Sequence, residues 1–271
     1  MDNLVWKKER CLPELILNKK NLQGNAQYMY EAINIVIPVY NEGENIGQMF
    51  SEIENKINLP FHIYIVFDFE SDNTIPVVRK FMEKRKNIHL IKNKYGSGAL
   101  NAVKTGFEAV DKGVILVVMA DLHDELGRVG EMLSKINEGD DIVCGSRYMR
   151  GGKQIGGPWF KKLLSRFAGT SLHYLVGIPT HDITNSFKMY SKTVLKNIKI
   201  ESNGGFELGM EIVIKAFFKG YKISEVPQVT HDRKWGESRF KLVKWLPNYI
   251  HWYWFAIQKK IELTLFQRNT V

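Results

Sequence analysis

Four polar segments follow apolar runs of the sequence, at the points where buried strands are expected to end. Tyr40-Asn41-Glu42 follows the first run, Asp68 the second, Asp121 and His123 a later one, and Arg147 the last. In an open α/β sheet the carboxyl ends of the strands form the edge at which ligands bind. Carboxylates and an arginine on one such edge suit a divalent cation together with a diphosphate.

A carboxylate at a strand end can bind a cation, or it can cap the helix that follows. Asp72 stands directly before a predicted helix that starts near residue 74, and we expect it to be such a cap. Asp121 follows an apolar strand and has His123 close by. We therefore predict a cation ligand at Asp121, with Asp124 supporting that ligand without contacting the cation itself.

Apolar periodicity predicts the elements that position these residues. From residue 33 to residue 145, short β-branched runs alternate with amphipathic stretches, which indicates βαβ units and a mostly parallel sheet flanked by helices. The predicted strands are residues 33–39, 61–67, 88–91, 114–119 and 142–145, then 186–190 and 222–226. The predicted helices start near residues 46, 74, 99, 129, 158 and 206, and a further helix lies towards the C-terminus.

The chain of 271 residues is 44% hydrophobic, which is enough for one large α/β domain with appendages. We predict an N-terminal extension over residues 1–30, the main domain over 31–238 and a C-terminal segment over 239–271. Cys11 and Cys144 lack the spacing of a metal site and suggest a reducing compartment. No apolar signal segment follows the charged start, so we expect the protein in the cytoplasm.

The net charge of +9 is concentrated towards the C-terminus, where it favours a polyanionic partner. Tryptophan and tyrosine interleave with the lysines there, which is typical of a membrane interface and argues against nucleic acid. An amphipathic helix is predicted by an apolar stripe through Phe240, Val243, Leu246, Ile250, Trp254, Ile257, Ile261 and Leu265. Such a stripe either packs on its own domain or lies on an anionic membrane surface, and both alternatives stay open.

Taken together, the motifs resemble family 2 glycosyltransferases of GT-A fold. The resemblance covers about residues 33–245 and rests on Pro38-Val39-Tyr40-Asn41-Glu42, Asp121, Gly145-Ser146-Arg147-Tyr148, and Asp232-Arg233 with Gly236-Glu237-Ser238-Arg239. Within the family the pattern is most similar to the dolichol-phosphate and polyprenyl-phosphate mannosyltransferases, which move a sugar from a nucleotide donor to a lipid phosphate.

This resemblance implies roles on the donor side. The nucleotide-sugar donor, GDP-mannose-like or a UDP-sugar, would be bound by Pro38, Tyr40, Glu42, Asp68, Asp121 and Arg233. Asp121 would be the metal-binding acid and His123 a second ligand of a Mg²⁺ or Mn²⁺ ion. Arg233 would lie near the donor diphosphate.

On the acceptor side, the resemblance implies that Arg147, Lys161 and Ser165 bind the phosphate of a polyprenyl phosphate. A phosphate is already an anionic nucleophile, so it needs positioning and charge neutralisation rather than a general base. Asp121, Arg147 and Arg233 would then be the catalytic set. The expected enzyme is a peripheral transferase on the cytoplasmic face of the membrane, and a membrane protein or a second copy remains open as a partner.

The chain departs from the family pattern in two motifs. Phe67 and Phe69 alter the segment that is usually Asp-Asp-Gly-Ser, and Met119 replaces the first acid of Asp-Ala-Asp. Two rival functions follow. One is a transferase with a saccharide acceptor, which needs a general base, for which Glu211 is the candidate. The other is a non-catalytic nucleotide-sugar or lipid-binding subunit, against which the joint retention of Asp121, Arg147 and Arg233 argues.

Overall fold

The computed structural model describes residues 16–20, 26–231 and 242–269. An antiparallel pair of strands, β1 (Ile16–Lys20) and β2 (Ala26–Met29), lies in the segment predicted as an extension. The strands that follow are β3 (Ile33–Pro38), β4 (Phe61–Phe67), β5 (Ile88–Lys92), β6 (Val114–Val117), β7 (Ile142–Ser146), β8 (Lys153–Gln154), β9 (Lys188–Ser191), β10 (Ile223–Pro227) and β11 (Val229–Thr230). The helices are α1 (Ile46–Lys56), α2 (Thr74–Met82), α3 (Ala99–Ala109), α4 (Val129–Asn137), α5 (Trp159–Val176), α6 (Lys192–Asn197), α7 (Leu208–Phe218) and α8 (Leu242–Asn269).

Seven of these strands form one sheet in the order β10-β7-β9-β6-β3-β4-β5. All of its pairings are parallel except those of β9, which runs antiparallel to both β6 and β7. The strands β8 and β11 form a small parallel pair beside the sheet. The mostly parallel α/β sheet predicted from the alternating pattern is therefore confirmed.

Both faces of the sheet are covered, which explains why its strands are apolar throughout. Every residue of β3 is buried. Helices α1, α2 and α4 pack on one face, while α3, α6 and α7 pack on the other, together with parts of α5 and α8. In α1 the buried side chains of Ile46, Met49, Phe50 and Ile53 recur at three- and four-residue steps, as an amphipathic helix requires.

Helix α8 packs on the domain mainly through its aromatic side, together with Ile257 of the predicted apolar stripe. The indole nitrogen of Trp252 donates to Ser202 Oγ at 2.9 Å, and the Asn248 amide donates to Glu207 Oε1 at 3.1 Å. On the opposite side, Ile250, Trp254 and Ile261 of the stripe are about half exposed. Most of the described part of the stripe is therefore not packed on its own domain, whereas Ile257 is, and the membrane alternative stays a prediction.

Candidate active site

The loop after β3 is held by the start of α2. The backbone N–H groups of Asn41 and Glu42 donate to Asp72 Oδ2 at 3.0 Å and to Thr74 Oγ1 at 2.9 Å. Asp72 Oδ1 also accepts from the N–H of Thr74 at 2.8 Å, so Asp72 binds the first turn of α2 as expected of a cap, although the N-cap position itself is Asn73. The Glu42 carboxylate accepts from the Asn45 side chain at 2.7 Å and thereby orders the entry to α1.

Asp68 organises the neighbouring loop in the same way. Its two carboxylate oxygens accept from the Asn93 amide at 2.7 Å and from the N–H of Gly98 at 2.9 Å, which fixes the turn into α3. Beside it, the rings of Tyr40 and Phe69 meet edge to face at 5.1 Å. Tyr40 and Asp68 thus lie on adjacent strand ends, as predicted, whereas Pro38 is buried as the last residue of β3.

Asp121 lies in a tight turn just beyond β6. Leu122 adopts a left-handed backbone conformation with φ of 56°, and the N–H of His123 donates to Asp121 Oδ1 at 3.3 Å. The carbonyl of His123 accepts from the N–H of His231 at 3.1 Å. His231 therefore contacts the loop of Asp121, and it stands two residues before Arg233 in the sequence. Arg233 itself, with the rest of the motif at 232–239, lies outside the described residues.

Asp124 follows in the same loop and is unusual for a carboxylate. Its Oδ1 atom is buried and has no hydrogen-bond partner. Burial, reinforced by the neighbouring charge of Asp121, raises the pKa of Asp124 to about 7. Within the described residues, no three His, Cys, Asp or Glu side chains form a ready-made metal site. The donor set fits a cation that binds one or two protein carboxylates and takes its other ligands from a diphosphate and water.

Arg147, at the end of β7, forms a buried bidentate ion pair with Asp182. Nε donates to Asp182 Oδ2 at 2.6 Å, and Nη2 donates to Oδ1 at 2.9 Å and to Thr184 Oγ1 at 3.2 Å. Burial alone would raise the pKa of Asp182, but the guanidinium outweighs it and leaves that pKa below its usual value. None of the described residues accepts from Nη1, so Arg147 keeps two N–H donors for a ligand.

A pocket of about 430 Å³ opens beside Arg147. Its described lining is basic and aromatic, without an acidic side chain, and consists of Arg147, Tyr148, Gly152, Lys153, Gln154, Trp159, Lys162, Leu163 and Arg166. The Tyr148 hydroxyl joins Ser165 Oγ to this wall. Of the predicted acceptor residues, Arg147 lines the pocket, Ser165 contacts the lining through Tyr148, and Lys161 lies outside the lining.

A glycine shapes the mouth of this pocket. A Cβ atom on Gly152 would lie 2.2 Å from the carbonyl oxygen of Ser146 and 2.8 Å from the carbonyl carbon of Arg147. Only glycine lets the loop fold back this closely over the backbone that carries Arg147. Gly152 is one of four glycines in residues 151–157, and it contributes the close packing around the basic pocket.

A family model described as Glycosyl transferase family 2 matches residues 34–199, which is more than half of the chain. The chain belongs to glycosyl transferase family 2. The match confirms the resemblance seen in the strand-end motifs. It includes the loop of Tyr40, the turn of Asp121 and the ion pair between Arg147 and Asp182.

Two curated relatives extend the similarity of this family 2 chain. The dolichol-phosphate mannosyltransferase of Pyrococcus furiosus is 31% identical over 214 residues, which are 77% of this chain and 59% of that protein. The polyprenol monophosphomannose synthase of Mycolicibacterium smegmatis is 26% identical over 230 residues, which are 78% of this chain and 85% of that protein. The family 2 chain thus spans about three fifths of the first relative's length.

A solved structure shows the same fold. It is glucosyl-3-phosphoglycerate synthase from Mycobacterium tuberculosis in complex with Mn²⁺, UDP-glucose and phosphoglyceric acid. The TM-score is 0.63 at 13% identity, and the match covers 84% of this chain and 80% of that chain. The GT-A fold predicted for the family 2 chain is therefore confirmed, and at this identity the similarity carries the fold alone.

The family 2 chain exposes an extensive apolar surface next to the basic pocket. Trp159, Leu163, Phe167, Tyr174 and Leu175 of α5 are each more than half exposed. Together with Ile250, Trp254 and Ile261 of α8, they form what we call the α5–α8 surface. Helix α5 is seated closely on the domain, because a Cβ atom on Gly169 would lie 2.1 Å from the His181 carbonyl oxygen.

Glu211, the candidate general base, is buried within α7 and has a structural role. Its two carboxylate oxygens accept from the N–H groups of Glu201 at 2.6 Å and Ser202 at 2.8 Å. It also forms an ion pair with Lys215. A carboxylate with these partners orders the 201–205 loop, against which α8 packs.

Proposed function

We propose that this family 2 glycosyltransferase transfers a sugar from a nucleotide-sugar donor, GDP-mannose-like or a UDP-sugar, to a polyprenyl phosphate at a membrane surface. The observation that carries the proposal is the basic pocket of Arg147, Lys153, Lys162 and Arg166, whose outer wall is Trp159 and Leu163. Such a wall suits a ligand with a phosphate head and an apolar tail. The names of the two curated relatives support the same acceptor class.

In the proposed reaction, an acceptor phosphate oxygen attacks the anomeric carbon of the sugar. A new carbon–oxygen bond forms to the acceptor, the bond to the donor diphosphate breaks, and the nucleoside diphosphate leaves with the electron pair. The pocket cations bring two negatively charged groups together, which lowers the barrier through positioning and charge neutralisation. A divalent cation, when bound at Asp121, would supply Lewis-acid stabilisation of the leaving diphosphate.

Purified protein should transfer label from one of a panel of radiolabelled nucleotide sugars to undecaprenyl phosphate in the presence of Mn²⁺ or Mg²⁺. The product is measured as label that moves into the organic phase. Label that appears instead on added saccharides would favour the saccharide-acceptor alternative. Donor binding without turnover on any acceptor would favour the non-catalytic subunit and overturn the proposal.

Glu211→Gln tests the saccharide alternative, because it removes the charge of the candidate base. We expect the free energy of unfolding to fall by about 1–3 kcal/mol, since the N–H groups of Glu201 and Ser202 lose a charged, buried acceptor. Sugar transfer per folded molecule should persist. Urea unfolding and the label-transfer assay measure the two effects, with Glu131→Gln as the control at an exposed ion pair. A stable variant without transfer would make Glu211 catalytic.

We further propose that the α5–α8 surface lies on the anionic cytoplasmic face of a membrane, with the basic pocket opening towards the lipid head groups. No helix among the described residues is long and apolar enough to cross a bilayer. Exposed apolar patches of this extent mark interaction sites, and each Lys or Arg close to an anionic surface adds about 1 kcal/mol. Lys153, Lys162 and Arg166 line the basic pocket, from which they can contribute to this attraction.

Two leucines on one face of α5 test the membrane contact. Leu175 belongs to the α5–α8 surface, and Leu164 is exposed on the same face of α5 three turns away. Leu164→Glu/Leu175→Glu therefore places two charges on this side of the helix without disturbing the core. We expect flotation with anionic vesicles to fall at least about tenfold, since each buried leucine contributes about 1.5–3 kcal/mol. Met82→Glu on α2 is the matched control. Equal flotation of all three proteins would contradict this surface.

A further inference from the structure

Backbone hydrogen bonds join the loop that follows Asp121 to the segment that precedes Arg233. The N–H of Glu125 donates to the carbonyl of Val229 at 3.3 Å, and the N–H of His231 donates to the carbonyl of His123 at 3.1 Å. These bonds place Asp124 opposite Thr230 in an antiparallel bridge. Asp124 is therefore held by backbone geometry next to the predicted cation ligand.

Three buried oxygen atoms without a hydrogen-bond partner belong to this short stretch. They are Asp124 Oδ1, Gln228 Oε1 and Thr230 Oγ1, and both Gln228 and Thr230 are fully buried. The Gln228 side-chain nitrogen donates to the carbonyl of Glu125 at 3.1 Å and also interacts with the Asp124 carboxylate, yet Asp124 Oδ1 and Gln228 Oε1 keep no partner. A buried polar atom without a hydrogen bond lowers the stability of the fold by about 1–3 kcal/mol. Three such oxygens in one short stretch therefore favour the binding of an electropositive group.

Among the described residues, no cationic side chain supplies that partner to the three oxygen atoms. Burial raises the pKa of Asp124 and the charge of Arg147 partly offsets that rise, but the hydrogen bonds of Arg147 go to Asp182 and Thr184. The carboxylate of Asp121 places a second negative charge beside Asp124, so the unbalanced negative charge at this point is larger. Carboxylate, amide and hydroxyl oxygens are the ligands of a hard divalent cation.

We propose that Asp124 supplies the second carboxylate of the cation site, with the oxygens of Gln228 and Thr230 beside it, in place of the acid that is missing at Met119. The proposal rests on the proposed function, in which a cation assists transfer, and deepens it by naming a ligand that the motif comparison does not contain. His123 is the ligand that the resemblance implies. In the structure its backbone is used on both sides, because its N–H donates to Asp121 Oδ1 and its carbonyl accepts from the N–H of His231.

The test is Mn²⁺ binding to the full-length protein, measured by electron paramagnetic resonance and calorimetry, with Mn²⁺ alone and with added GDP or UDP. Loss of even an outer-shell partner typically weakens metal affinity about 10–100-fold, so Asp124→Asn should weaken it at least about tenfold. Asp111→Asn, an exposed acid on the opposite edge of the sheet, is the matched control. A thermal melt of each variant confirms that it is folded.

Restoring the missing acid provides a second arm. If Asp124 takes the place of the acid at 119, then Met119→Asp in the Asp124→Asn background should recover Mn²⁺ affinity. Unchanged Mn²⁺ affinity in Asp124→Asn, or no Mn²⁺ binding by the wild-type protein in any of these conditions, would overturn the proposal. Because the readout needs no sugar or lipid, intact Mn²⁺ binding without transfer would count against the proposed function alone.

Discussion

Asp121→Asn should lower sugar transfer at least about a thousandfold while leaving the fold intact. A bound metal contributes several kcal/mol to stabilisation of a leaving group, and each 1.4 kcal/mol or so corresponds to a factor of ten in rate. Asparagine keeps an oxygen that can accept from the N–H of His123, so the turn of Leu122 should survive. Initial rates of label transfer and a thermal melt measure the two outcomes.

Chelation provides the parallel experiment. Excess EDTA should reduce wild-type transfer to the level of Asp121→Asn, and added Mn²⁺ or Mg²⁺ should restore it in the wild type but not in the variant. Asp111→Asn should behave as wild type throughout. Full activity of Asp121→Asn, or of the wild type in excess chelator, would remove the cation and Asp121 from the mechanism.

Arg147→Ala should have two large effects, because Arg147 serves both the fold and the acceptor pocket. Its loss leaves the Asp182 carboxylate buried without a counter-charge, which typically costs 3–5 kcal/mol of unfolding free energy, or about half of the stability of a typical domain. Transfer should fall by at least about a hundredfold, since charge-assisted bonds to the acceptor phosphate are lost. Urea unfolding and transfer rates measure the two effects.

A double variant separates these roles. In Arg147→Ala/Asp182→Asn the buried charge is gone. The asparagine oxygen can still accept from the residue 147 N–H, and its amide nitrogen can donate to Thr184 Oγ1. Stability should therefore recover largely, while transfer should stay low and binding of the nucleoside diphosphate, followed by calorimetry, should match wild type. Equal loss of nucleotide binding would move Arg147 to the donor side.

The sheet could be predicted from the sequence because its strands are buried on both faces. Such strands are continuous apolar runs with sharp polar ends, and the run from Phe61 to Phe67 was predicted with the bounds that the structure has. The direction of β9 could not be predicted, since an apolar run indicates burial and not orientation. Helix α6 was missed because six residues are too few for a helical period.

The site could be predicted as far as strand ends determine it. Asp121 and Arg147 each follow a strand of the central sheet, and that placement alone brings them to one edge. The partner of Arg147 is 35 residues away in the sequence, so only the folded chain shows the Asp182 ion pair. The phase of α5, set by the contact of Gly169 with His181, decides that Lys162 and not Lys161 lines the pocket.

The position of β9 between β6 and β7 also determines the order in which the sheet assembles during synthesis. Strands β3 to β6 can pair as soon as residue 117 is available, whereas β7 is complete at residue 146 and its two neighbours begin only at residues 188 and 223. At about 5–20 residues per second, the ribosome needs several seconds to deliver the first neighbour. For that interval an apolar strand waits with both edges unpaired, the condition under which nascent chains associate with one another or with a chaperone.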